Sequence, residues 1–124
     1  MAVKPVRLVN RGRYVTYQWT LTSADDVAEP TTLLGGRTDV SVKFFGTTDA
    51  AGWNTATVIM QGDTEETGTD FVQLRDTARN LLTATNENKI EAILENALRY
   101  KPVRSAGALG ATGITITLLC AGHS

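Results

Sequence analysis

From Val15 to Leu21 apolar and polar residues take strict turns. Val15, Tyr17, Trp19 and Leu21 fall on one side, Thr16, Gln18 and Thr20 on the other. A period of two puts each set on its own face of a pleated strand and is incompatible with a helix over the same residues. The β-branched and aromatic side chains suit a half-buried pleated surface. The alternation recurs down the chain. It appears in Asp39 to Phe45 with Val40, Val42 and Phe44, and in Thr55 to Gln61 with Ala56, Val58 and Met60. It returns in Ile114 to Leu119, where Ile114, Ile116 and Leu118 oppose Thr115, Thr117 and Leu119. Shorter runs stand at Thr31 to Leu34, Phe71 to Leu74, Leu81 to Thr83 and about Leu98 to Arg104. Turn-forming residues separate them: Ser23 to Asp26, Glu29-Pro30, Gly35-Gly36, Gly46 to Gly52, Gly62 to Asp70, and Gly107, Gly110 and Gly113. Seven or eight short strands in this spacing predict an all-β fold, a jelly-roll-like antiparallel β-sandwich.

One segment breaks the pattern. Ile90, Ile93, Leu94, Ala97 and Leu98 recur at helical spacing, and Asn86 or Asn88 stands where a cap belongs. A short helix or turn is expected near residues 89–97. The remainder divides into an N-terminal arm or edge strand over 1–12, a single sandwich domain over 13–121 and a flexible tail at 122–124. The 124 residues suffice for one modest core.

The 12 basic and 13 acidic residues give a net charge of -1. That balance offers no broad footprint for nucleic acid or an anionic membrane, so neither is expected as a partner. No apolar run approaches the roughly 20 residues that span a bilayer. Met1 to Arg7 has no apolar leader core, and the chain is expected to be made in a cytoplasm.

Residues suited to catalysis are sparse. His123, the only histidine, is the penultimate residue, a poor place to hold a base against a nucleophile. Cys120 is the only cysteine and follows Leu118-Leu119 at a strand end, where a buried inert thiol is expected. Asp63-Thr64-Glu65-Glu66-Thr67-Gly68 opens like a calcium loop, but Leu74 occupies the twelfth position, where that loop needs a carboxylate. A solvated hairpin loop is expected there. Gly107 to Gly113 lacks the spacing of a dinucleotide fingerprint and the Lys-Ser/Thr pair of a phosphate loop. Neither a metal nor a cofactor is expected, and the chain reads as a non-enzyme.

Three places suit contact with a partner. Lys4, Arg7 and Arg11 make the first segment basic. Trp53 stands in an otherwise polar loop, where it either packs back onto the core or serves as an exposed anchor for a partner or a sugar ring. Glu65 and Glu66 mark the acidic loop. These six are the candidate interaction residues.

The order of features carries a resemblance. Tyr14-Val15-Thr16-Tyr17-Gln18-Trp19-Thr20 precedes Asp39-Val40-Ser41-Val42-Lys43-Phe44-Phe45-Gly46-Thr47. Ala56-Thr57-Val58-Ile59-Met60-Gln61-Gly62-Asp63 and Phe71-Val72-Gln73-Leu74-Arg75-Asp76 follow. Ile93 to Val103 then leads to the Thr-rich last strand. From about Tyr14 to Leu119 the series resembles the small decoration (cement) proteins of tailed-bacteriophage capsids. The Asp63 to Asp70 turn departs from it, being longer and more acidic. The resemblance implies a structural virion protein with no enzymatic activity, placed on the outer capsid surface. Its partners would be the major capsid protein and further copies of itself, as a homodimer or homotrimer. Two other readings stand beside it. Arg99-Tyr100-Lys101-Pro102-Val103 resembles the penultimate strand of discoidin-like domains, which with Trp53 suggests a carbohydrate-binding sandwich. A head–tail or tail component of the virion is the third.

Overall fold

The computed structural model describes residues 3–10, 14–22, 26–31, 39–45, 53–65, 70–85, 89–95, 97–110 and 113–121. The strands among them are β1 (Val3–Lys4), β2 (Arg7–Asn10), β3 (Tyr14–Leu21), β4 (Val27–Ala28), β5 (Asp39–Phe45), β6 (Thr57–Asp63), β7 (Val72–Gln73), β8 (Thr83–Ala84), β9 (Lys89–Ala92), β10 (Arg99–Ala106) and β11 (Ile114–Ala121). The protein is all-β, and no helix occurs among the described residues.

One sheet has the order β2-β3-β11-β5-β9, and the other contains β10-β6-β7 with β8 also paired to β6. Their ladders are antiparallel; only the two-residue pair β1·β4 is parallel. The topology is that of one long hairpin rolled up, with its tip between β6 and β7. Working back from the tip, β6 pairs β7 and β8, and β5 pairs β9. The segment after β4 meets β10 through Thr31, and β3 pairs β11. Each successive pair changes sheet, which is the wrapping of a jelly-roll sandwich.

The core lies between the sheets. Val15, Tyr17, Trp19 and Leu21 face it from β3, Ile114, Ile116, Leu118 and Cys120 from β11, and Val58, Met60 and Tyr100 from the second sheet. Trp19 is wholly buried, and its indole N–H donates to the Glu29 carbonyl at 2.7 Å. That bond lets a large amphipathic ring enter the core without an orphaned donor.

Tyr100 joins the outer segment to β10. Its N–H donates to Thr31 Oγ1 at 3.0 Å, and its carbonyl accepts from Thr31 N at 2.9 Å. Pro102, two residues along β10, turns its N–H-less nitrogen to the same side. The ladder from β10 to β6 therefore runs past it in register to Arg104, where the register shifts before Ala106.

The first residues are built into the sandwich. β2 hydrogen-bonds along β3 in register Arg7↔Gln18 to Asn10↔Val15. β1 lies against β4, with the Glu29 N–H donating to the Lys4 carbonyl and the Val6 N–H to Glu29 Oε1.

The helix expected near residues 89–97 is not formed. Lys89 to Ala92 is a strand paired with β5, and Ile93 N continues the contact to the Val40 carbonyl. Ile90 and Ile93 fall on opposite sides: Ile90 is 69% exposed and Ile93 is buried. A helix this short is marginal alone, whereas the open edge of β5 satisfies the same backbone groups directly.

Two tight places depend on glycine. Gly107 has φ of 73°, and a Cβ there would stand 1.9 Å from the Thr55 carbonyl oxygen. Gly113 has φ of 69°, with the Leu21 carbonyl oxygen 2.5 Å from the same position.

Two outcomes are expected in urea unfolding. Thr31→Val should strand the buried Tyr100 N–H and remove roughly 1–3 kcal/mol, seen as a lower midpoint at unchanged slope. Gly107→Ala should destabilise by more than about 1 kcal/mol, because neither the backbone angle nor the space admits a methyl group.

Candidate functional site

The five-stranded sheet has one face in the core and the other in solvent. Tyr17, Leu118 and Val42 are buried, so the residues flanking them in each strand point outward. Register arranges these outward side chains in rows. Arg7, Gln18, Thr117, Lys43 and Ile90 lie side by side across β2, β3, β11, β5 and β9. Val9, Thr16, Leu119, Ser41 and Ala92 form the next row. Gln18 Nε2 donates to Thr117 Oγ1 at 3.2 Å, tying the amide flat against the sheet. Two shallow hollows share Gln18. Arg7, Val9, Tyr14 and Thr16 line one, and Lys43, Thr115 and Thr117 the other.

The surface continues past β9. Its alternation carries Leu94 outward, Leu94 N donates to the Arg75 carbonyl at 2.8 Å, and Arg75 bridges to Leu81. Tyr14, Leu81, Ile90, Leu94 and Leu119 are thus five of the nine exposed large hydrophobic residues among those described. Tyr14, Ile90 and Leu119 lie on the open face itself, and Leu81 and Leu94 lie beside it.

Arg75 is held by Glu95. The Arg75 Nε–Glu95 Oε2 distance is 2.6 Å, and the Arg75 N–H donates to Glu95 Oε1 at 2.7 Å. Desolvation raises the Glu95 pKa, but the Arg75 backbone and guanidinium bonds together outweigh it, so the carboxyl is held below its ordinary value.

The other sheet carries a different cluster. Asp63 is buried at the end of β6, where Arg99 Nη2 donates to its Oδ2 at 3.1 Å and Glu65 N to its Oδ1 at 3.0 Å. The Arg99 guanidinium and the Lys101 ammonium lie 5.0 and 4.5 Å from the centre of the Phe71 ring. Such contacts are worth about 0.5–2 kcal/mol each and fix the ring across the sheet. Asp63 is therefore a structural anion, and the solvated loop expected from Gly62 begins only after it.

The four candidate residues that are described, Lys4, Arg7, Trp53 and Glu65, are not brought together. Arg7 projects from β2 on the open face. Lys4 lies 3.6 Å from Asp26, held against the sandwich. Glu65 is exposed at the far end of β6, where its carbonyl accepts from Arg99 Nε. Arg11 and Glu66 lie outside the described residues.

Trp53 as an exposed anchor is corrected by the structure: it is 1% exposed and belongs to the core. No described residue accepts from its indole N–H. An unmade bond of this kind costs about 1–3 kcal/mol. Burying an aromatic of roughly 200 Å² returns about 5 kcal/mol, so the ring goes inside regardless.

Sequence reasoning missed Gln18, Lys43, Ile90 and Leu119 as surface residues of one site. The alternation was the available signal, since it assigns each of the first two to the outward side of a strand. Strand order, which makes them neighbours, is not in that signal.

Among the described residues, no three His, Cys, Asp or Glu side chains are grouped to hold a metal ion. No helix long and apolar enough to cross a membrane occurs among them. No protein-family model, curated protein or solved structure matches the chain.

The Glu95 pair sets a pH dependence. A carboxyl depressed in the folded state contributes stability above its unfolded pKa and loses it as pH falls through the folded value. Glu95→Gln should cost under about 1 kcal/mol at neutral pH, and the difference from the parent chain should vanish in acid. Thermal melts of both chains from pH 7 to pH 2 check this.

Proposed function

We propose that this chain is a non-enzymatic structural protein of a virion, a decoration (cement) protein that binds the outer surface of an assembled phage capsid and stabilises contacts between major capsid proteins. The observation that carries the reading is the broad, open face of the five-stranded sheet, with five exposed large hydrophobics on and beside it. It suits apposition to another protein surface more than capture of a small molecule in a cleft. The resemblance of the strand series to capsid decoration proteins supports the same reading, and the jelly-roll sandwich agrees with it.

The work of such a protein is thermodynamic. A ligand that binds the assembled shell and not its separated subunits stabilises the shell by mass action. A homodimer or homotrimer would engage several shell sites together and gain avidity without strong single contacts. Made in the host cytoplasm, the chain would end on the capsid exterior, with neither nucleic acid nor membrane as a partner.

The carbohydrate-binding reading joined the Arg99 to Val103 likeness to Trp53 as a stacking platform, and the burial of that ring removes the platform. A head–tail component differs from a decoration protein in where copies lie: one ring at a single vertex, against many over the whole shell.

The purified chain is expected to co-sediment with intact capsids lacking it, to ignore unassembled capsid subunits, and to raise the temperature at which the shells open. Sedimentation only with tail or neck assemblies would assign the third reading instead. No binding to any virion part would overturn the structural-virion reading altogether.

A further inference from the structure

We infer that the outer face of the five-stranded sheet is the shell-docking face, and that its partner is a protein surface whose carboxylates meet the Arg7–Lys43 row. The inference rests on the decoration reading and adds to it a face and a partner chemistry.

Charge placement is the first ground. The chain as a whole is slightly acidic, with a net charge of -1. Yet the described charged side chains in the two rows of this face are Arg7 and Lys43, both exposed. Glu91 in β9 takes the inward parity, between Ile90 and Ala92. At the border, the Glu95 carboxylate is already occupied by Arg75. Asp63, Glu65 and Asp70 cluster at the β6–β7 end of the other sheet. These two rows thus present two cations and no described carboxylate, whereas on the other sheet Arg99 is bonded to Asp63, and an acidic surface is the partner complementary to the rows.

The arrangement along the row is the second ground. Gln18 and Thr117 lie between the two cations, and Ile90 ends the row beyond Lys43. Hydroxyl and amide groups hold hydrogen-bonding positions between two charge contacts, while Ile90, Leu119 and Tyr14 supply area that becomes dry on contact. That mixture is what a non-obligate interface needs: apolar anchors within a polar frame.

Area is the third. Five strands about 4.8 Å apart span roughly 20 Å, and eight residues run roughly 25 Å, so the footprint is on the order of 500 Å². A standard stable interface uses about 800 Å² per partner. One copy on this face would therefore hold weakly, and charge complementarity and multivalency would carry attachment. That is acceptable for a protein applied in many copies to a lattice.

The test is co-sedimentation of the full chain with capsids lacking it, over a range of salt. Arg7→Glu and Lys43→Glu are compared with Lys101→Glu, a reversal on the other sheet, and melting curves confirm that each variant folds. The two face variants should each weaken binding about tenfold or more, while Lys101→Glu binds like the parent. Parental binding should fall as salt rises from 0.05 to 0.5 M. Should a reversal fail to fold, Lys43→Gln replaces it, with a weaker loss and a flatter salt response expected.

Failure of the parent chain to bind capsids overturns the decoration reading, and this inference with it. Parental binding that Arg7→Glu and Lys43→Glu leave intact overturns the inference alone. The free chain's oligomeric state is measured alongside, by sedimentation velocity with Leu119→Asp. An oligomer that this substitution dissolves assigns the face to a second copy and likewise overturns the inference.

Discussion

The register of β11 holds the rest of the structure in place. It is the last strand in sequence, yet it lies between β3 and β5 and hydrogen-bonds along both. Ile114, Ile116, Leu118 and Cys120 face the core from it, while Thr115, Thr117 and Leu119 face out. A slip of one residue would exchange the two sets. Isoleucines would enter water and threonine hydroxyls would enter a core with no partner waiting. The same slip would break the outer row at its centre, since Thr117 stands between Gln18 and Lys43. Stability of the inner face and composition of the outer face are thus set by one ladder.

The rolled-hairpin topology makes that ladder late and long-range. β3 and β11 are far apart in sequence, so closing them orders nearly the whole chain. Local devices reduce what remains to be fixed. Glycines with positive φ at Gly107 and Gly113 turn the chain from β10 towards β11, at points where a side chain would strike the Thr55 or Leu21 carbonyl. Thr31 supplies side-chain and backbone bonds to Tyr100, so a segment only partly in strand geometry still closes against β10. Burial pushes the Tyr100 phenol pKa up; the Ala97 N–H bond opposes this, while Cys120 and Glu95 add to it. The ring stays neutral, with its hydroxyl donating to the Glu95 carbonyl.

Legibility from sequence followed the physics of each signal. Alternation reads the faces of long strands with half-buried surfaces, and β3, β5, β6 and β11 were placed by it to within a few residues. The Gly-Thr-Asp-rich loops between them were enough for the sandwich class. Alternation fails where few residues sample it. Lys89 to Leu98 offers hits at helical spacing because Ile90 and Leu94 face outward at an edge while Ile93 faces inward, which mixes two faces into one false stripe. Trp53 carried no periodicity at all: its neighbours are polar and its direction is decided by the core, not by its own segment. Asp63 looked like a loop acid because its partner Arg99 lies far along the chain. Arg7 was legible as a candidate through its charge. Lys43, its counterpart on the same row, was hidden because only strand order brings them to one surface.

That surface reconciles two opposed demands. A face meant to bind must expose apolar area, and a sheet face exposing too much of it aggregates before it meets its partner. Here the exposed apolar residues are interrupted in both directions. Along β11, Leu119 follows Thr117 on the outer side. Across the sheet, Leu119 is flanked by Thr16 and Ser41, and Ile90 by Lys43. Leu119 and Ile90 are thus flanked by hydroxyls or a cation that keep the free face hydrated. Only a partner that pairs the cations while covering the apolar groups can displace that water at a net gain. Specificity on the proposed docking face would arise in this way from the order of residues in a row, and the register of one strand sets that order.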